Sequence, residues 1–84
     1  MHKVCVIGLG YMGLPTALLL AKANCQVIGF DIDQEKVELL NKGQITFEEQ
    51  GIKELFSQAR QNFHAISNLN EKNLNGVDTY IICV

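Results

Sequence analysis

Lys3-Val4-Cys5-Val6-Ile7-Gly8-Leu9-Gly10-Tyr11-Met12-Gly13-Leu14-Pro15-Thr16-Ala17-Leu18 decides the architecture of this chain. A short, unbroken apolar run rich in β-branched residues stops at a glycine. That is the pattern of a strand buried on both faces, as in a parallel sheet. Beyond the glycines the period changes. Leu14, Ala17, Leu18 and Ala21 fall at i, i+3, i+4 and i+7, the spacing of one helix face. Leu19 and Leu20 widen that stripe and predict a helix that is mostly covered. Pro15 is compatible with this helix, because N–H groups of a first turn have no intrahelical acceptor and a missing donor costs little there.

Working outward, Asn24-Cys25 ends the helix and Gln26-Val27-Ile28-Gly29-Phe30 reads as a second strand running into Asp31. Asp33 is placed to cap a second helix carrying Val37 and Leu40 and closed by Gly43. Residues 44–50 form a polar loop. Ile52, Leu55, Phe56 and Ala59 repeat the helical spacing, Phe63 to Ile66 is a short strand, and the asparagine-rich stretch 68–76 holds turns and at most one helical turn. Thr79 to Val84 is a fourth strand. The order β-α-β-α-α-β-(α)-β indicates an open parallel sheet. With right-handed crossovers it takes strand order 3-2-1-4, with a crevice between strands 1 and 4. The expected fold is α/β, a Rossmann-like parallel sheet of which residues 1–84 supply the first half only.

Composition narrows the function. The 84 residues are 48% apolar and 19% charged, with a net charge of −2 and a single arginine, Arg60. This is globular usage, not that of a disordered chain. A nucleic-acid partner is not expected, since the sequence has no basic cluster. No apolar run approaches the ~20 residues of a membrane span, and the N-terminus lacks the pattern of a signal peptide, so a cytoplasmic location is expected. Cys5, Cys25 and Cys83 are odd in number and have no C-x-x-C spacing, which suits reduced cysteines used as small apolar residues. With His2 and His64 far from other ligand types, no metal site is expected.

The chemistry lies in Gly8-Leu9-Gly10-Tyr11-Met12-Gly13. A bare G-x-G-x-x-G is weak evidence, but this one follows a buried strand, opens a helix and precedes a second strand ending in an acid. Asp31 follows Gly13 by 18 residues, near the ~20 typical of a ribose-binding carboxylate. Gly8 permits a tight turn, Gly10 lets a pyrophosphate approach the backbone, and Gly13 lets the helix pack on the sheet. The amides around Tyr11 and Met12 then sit at a helix N-terminus, where about half a positive charge accumulates. Such a surface can hold a pyrophosphate without a lysine. Asp31 can accept ribose hydroxyls and repels a 2′-phosphate, which favours NAD over NADP. No arginine follows it, and Lys36 lies within reach of the ribose.

The string Val6 to Ala17, together with Val27-Ile28-Gly29-Phe30-Asp31-Ile32-Asp33, resembles the N-terminal domain of the UDP-glucose/GDP-mannose dehydrogenase family. Leu14-Pro15-Thr16-Ala17 looks most like its UDP-N-acetyl-D-mannosamine dehydrogenase branch. Val37-x-x-Leu40-Asn41-x-Gly43 is similar to the family's second helix and Ile81-Ile82-Cys83-Val84 to its fourth strand. The resemblance implies that backbone amides of Tyr11 and Met12 contact the NAD pyrophosphate while Asp31 and Lys36 hold the adenosine ribose. It further implies oxidation of a UDP-sugar C6 alcohol to a carboxylate by the full-length enzyme, in polysaccharide biosynthesis. The family's nucleophilic cysteine and its helpers lie beyond residue 84, and no cysteine here matches their motif. One departure is Glu49-Gln50-Gly51, where the family often has Glu-Pro.

The chain is therefore expected to bind the ADP part of NAD without turning over a sugar nucleotide. The apolar edge from Tyr80 to Val84 is expected to pair with another chain, making a homo-oligomer. A β-hydroxyacid dehydrogenase shares a Gly-Leu-Gly-x-Met-Gly start but often prefers NADP and follows its second strand with Asn-Arg, whereas this sequence has Phe30-Asp31-Ile32-Asp33. A nucleotide-sensing module would use the same half-sheet.

Overall fold

The computed structural model describes residues 2–45 and 51–83. Four parallel strands, β1 (Lys3–Ile7), β2 (Gln26–Phe30), β3 (Phe63–Ile66) and β4 (Thr79–Ile82), form one sheet in the order β3-β2-β1-β4. Between them run α1 (Gly13–Lys22), α2 (Gln34–Asn41), α3 (Ile52–Ala59) with a 3-10 turn at Arg60–Asn62, and the short α4 (Glu71–Leu74). Val6 pairs with Gly29 on one side and Ile81 on the other, and Ile7 with Phe30 and Ile82. β1 is thus an interior strand, as is β2, and the glycine turn leaves the C-terminal end of β1.

Alternation along the strands builds two apolar layers. Val4, Val6, Val27 and Ala65 face α1, α2 and α3, meeting Leu14, Ala17, Leu18, Ala21, Val37, Leu40, Ile52, Phe56 and Ala59. The opposite face buries Cys5, Ile28 and Ile66 under Leu74 and Val77. The buried set of α1 is the i, i+3, i+4, i+7 stripe together with Gly13. Leu19 departs from the covered helix the sequence suggests. It stands 58% exposed, on the rim of a groove of about 350 Å³ shared with Tyr11, Met12 and Leu55.

The helix ends follow local chemistry. Asn24 leaves α1 with φ +75° and Gly43 closes α2 with φ +89°. The Asp33 side chain caps α2 by accepting from the Lys36 N–H at 3.2 Å. β4 ends at Ile82 rather than running on to the chain end, and Val84 lies outside the described residues, as do residues 46–50 of the polar loop and the departure at Glu49-Gln50.

The two sheet edges are treated differently. On β3, the Asn41 carboxamide donates to the Ala65 carbonyl at 2.8 Å and accepts from the Ala65 N–H at 3.0 Å. A side chain thereby takes the place of a neighbouring strand and blocks that edge. On β4, Tyr80 is 50% and Ile82 71% exposed. Replacing Asn41 by Ala strands two backbone groups, so we expect a loss of about 1–3 kcal/mol, measured as a lower urea midpoint, with Asn41→Asp recovering only the accepting half of the clasp.

Candidate nucleotide-binding site

The turn from β1 into α1 is shaped by close approach. Gly8 adopts φ +99°, and a Cβ there would fall on the Cys83 carbonyl oxygen. A Cβ on Gly13 would fall on the Gly8 carbonyl. These two glycines are needed by the fold itself. Gly10 is different: a Cβ there meets no heavy atom within 4 Å. Among the described residues, nothing in the packing requires a glycine at that position.

Leu9, between the first two glycines, is fully buried in the core. It occupies space left by Gly29 in mid-strand β2, where a Cβ would lie 2.8 Å from Leu9 Cδ2 and 2.9 Å from Phe63 Cε1. The turn is thus pinned from below, and Tyr11 and Met12 point outward, 73% and 72% exposed. Gly8 N–H donates to the Phe30 carbonyl at 2.8 Å and Leu14 N–H to that of Gly10 at 3.1 Å. Met12, at the N-cap position of α1, makes no side-chain cap bond, and the first turn carries no acid. The positive end of the helix dipole is left unneutralised by its own first turn.

Asp31 stands at the end of β2, beside this turn. Its Oδ2 accepts the Leu9 N–H at 3.0 Å, and its Oδ1 accepts the Asp33 N–H at 3.0 Å. Lys36 Nζ lies 3.4 Å from Oδ2, with the lysine side chain 24% and the aspartate side chain 14% exposed. A carboxylate has about four acceptor positions, so three donors leave Oδ1 with one open and the longer lysine bond exchangeable. Asp31 is thus a partly engaged acceptor. Burial raises its pKa, but the Asp33 and Leu9 amides and the Lys36 ammonium outweigh burial and hold it below the ordinary carboxylate value.

The structure brings Gly8, Gly10, Tyr11, Met12, Gly13, Asp31 and Lys36 to one end of β1 and β2. The sequence reading passed over Leu9 and Gly29, which lock the turn to the strand bearing the acid. A glycine inside an apolar strand signals close approach, and Gly29 was the readable clue. Among the described residues, no three metal-ligating side chains gather and no helix is long and apolar enough to cross a membrane.

A strand, a glycine turn opening a helix whose N-cap makes no side-chain bond and whose first turn has no acid, and a carboxylate one strand over define a dinucleotide-binding α/β unit. Residues 2–84 match the model of the UDP-glucose/GDP-mannose dehydrogenase family, NAD binding domain, and the chain belongs to that family. It is 41% identical over 83 residues to the UDP-N-acetyl-D-mannosamine dehydrogenase of Methanococcus aeolicus, covering 99% of this chain and 18% of that protein. The structure superposes on the UDP-N-acetyl-mannosamine dehydrogenase of Staphylococcus aureus with TM-score 0.86 and 34% identity, over 98% of this chain and 19% of that one. On the GDP-mannose dehydrogenase of Pseudomonas aeruginosa, solved as a ternary complex, the TM-score is 0.86 at 31% identity, over 96% of this chain and 19% of that one. The chain thus spans about a fifth of the length of these relatives. The family's cofactor is NAD.

The depressed Asp31 pKa fixes the sign of an acid effect. A group whose folded pKa lies below its unfolded value stabilises fully above the unfolded pKa, and that stabilisation is lost as pH falls through the folded one. Urea midpoints should therefore drop more steeply between about pH 5 and pH 2 in the wild-type chain than in Asp31→Asn. Parallel profiles would show that these bonds do not favour the ionised form.

Proposed function

We propose that this segment holds the ADP portion of NAD for a nucleotide-sugar 6-dehydrogenase acting on a UDP-sugar, in the cytoplasm and in the service of polysaccharide biosynthesis. On this reading residues 1–84 are the first part of the cofactor domain. NAD, when bound, supplies the acceptor for hydride leaving the sugar carbon. This chain's residues bind and orient it. The amides from Gly10 to Gly13 face the pyrophosphate, Oδ1 of Asp31 takes a ribose hydroxyl, and Lys36 lies against the same ribose. The observation that carries the reading is Gly10. Its missing side chain serves no internal contact, so the space above it suits a ligand that must touch the backbone.

No catalytic role is assigned to Cys5, Cys25 or Cys83. Cys5 is fully buried, and burial raises its thiol pKa, which disfavours the thiolate needed for attack. The segment by itself should bind NAD at about 10 μM to millimolar, because half a site offsets the same association cost with fewer contacts, and should yield no NADH from a UDP-sugar.

The β4 edge supports a second part of the proposal. With β3 closed by Asn41 and the outer edge of β4 apolar and without a neighbouring strand among the described residues, copies of the 84-residue chain associate through Tyr80–Ile82 and continue the sheet. Sedimentation at rising concentration should show a dimer that Ile82→Lys weakens, while a strictly monomeric profile would contradict it.

Calorimetric titration with NAD tests the cofactor reading. Gly10→Ala should keep the wild-type thermal midpoint within a few degrees yet weaken NAD binding on the order of tenfold or more. Equal affinity in the two proteins would remove the ligand role of Gly10.

A further inference from the structure

We propose that Lys36 is the residue through which this chain sets its choice between adenine dinucleotides. Asp31 keeps the lysine's ammonium occupied, and neutralising that carboxylate turns the same ammonium into a receptor for a 2′-phosphate. This rests on the nucleotide-binding reading above and deepens it, since a charge argument from Asp31 alone assigns the lysine no part in selectivity.

The geometry separates the two members of the pair. Asp31 is fixed by the backbone, through the Leu9 and Asp33 amides at 3.0 Å each. Lys36 is fixed independently, because its own N–H is held at 3.2 Å by Asp33 Oδ1 in the first turn of α2. Its ammonium then spans back to Oδ2 at 3.4 Å, longer than the ~2.7–2.9 Å of a tight charge-assisted bond. The lysine is the looser partner, and its stem does not depend on the acid for its position. Removing the charge of Asp31 leaves a cation that is 24% exposed beside the ribose site, in the first turn of α2, whose N-terminus is already capped by Asp33 and carries Glu35.

With Asp31 ionised, the pair is neutral, and a 2′-phosphate meets an acid whose favourable lysine contact is already taken. With the acid neutral, a dianionic phosphate meets an ammonium released from its ion pair with Asp31. The sequence beyond Asp31 reads Ile32-Asp33-Gln34-Glu35-Lys36, so Lys36 is the first cation the chain supplies. A compact ammonium is a sufficient, if not bidentate, phosphate ligand.

The test compares 5′-AMP with adenosine 2′,5′-bisphosphate, which differ only in the 2′-phosphate, by calorimetry at low salt on the 84-residue chain. Wild type should favour 5′-AMP. Asp31→Asn and Asp31→Ser should each move the ratio of dissociation constants toward the bisphosphate on the order of tenfold, and adding Lys36→Met should abolish that movement. Two acid variants are used because Asn retains an acceptor for only one of the two amides, and circular dichroism confirms that each is folded. An unchanged ratio in both variants would overturn the inference, as would a shift that survives Lys36→Met. Wild type binding neither nucleotide would remove the nucleotide-binding reading and this inference together, whereas a failed shift with intact 5′-AMP binding removes only the inference.

Discussion

The hydrogen bond from the Leu9 N–H to the Asp31 carboxylate, 3.0 Å long, is the contact on which the site depends. It ties the turn after β1 to the end of β2, the two places from which a dinucleotide would be held. The bond is available because the Leu9 side chain is driven into the core, where apolar burial fixes the backbone that carries the amide. A hydrogen bond to an ionised group is worth roughly 1.5–3 kcal/mol, a large fraction of the stability of a domain this small. Gly29 makes the arrangement possible by yielding the space that Leu9 fills.

The three glycines of the turn therefore divide by physical role. Gly8 and Gly13 are required by backbone atoms of the chain itself, at Cys83 and at Gly8. Gly10 is required by nothing within the described fold. A turn used only to join a strand to a helix would need the first pair and could carry a side chain at the middle position. The open middle position, beside a helix start that carries neither a side-chain cap bond nor an acid, is what distinguishes this turn from a purely structural one and suits it to a diphosphate.

Much of the architecture was legible in the sequence because it is encoded locally. An unbroken, β-branched apolar run marked Val4 to Ile7 and period-3.6 spacing marked Leu14 to Ala21, and the alternation of element types then restricted the strand order. Asp33, Asn24 and Gly43 announced helix boundaries by the conformations they favour. The contacts that were not legible join residues far apart in the chain. Asn41 clasps Ala65 across 24 positions and Leu9 reaches Asp31 across 22. Neither residue type advertises such a partner. Leu19 was misjudged for the same reason, since its apolar side chain fits the helical stripe while its exposure is decided by where α3 lies. The Asp31–Lys36 pair sits between these cases: both residues stand out in the sequence as candidate ribose ligands, but their engagement with each other follows from the turn at Asp33.

The most direct measurement is an amide chemical-shift titration of the isotopically labelled 84-residue chain with NAD. The account predicts the largest shifts at Leu9, Gly10, Tyr11, Met12 and Gly13, with accompanying changes at Asp31 and Lys36 and little elsewhere in α3. Shifts centred instead on the groove of Lys53, Ser57 and Arg60, with the turn amides unmoved, would contradict it.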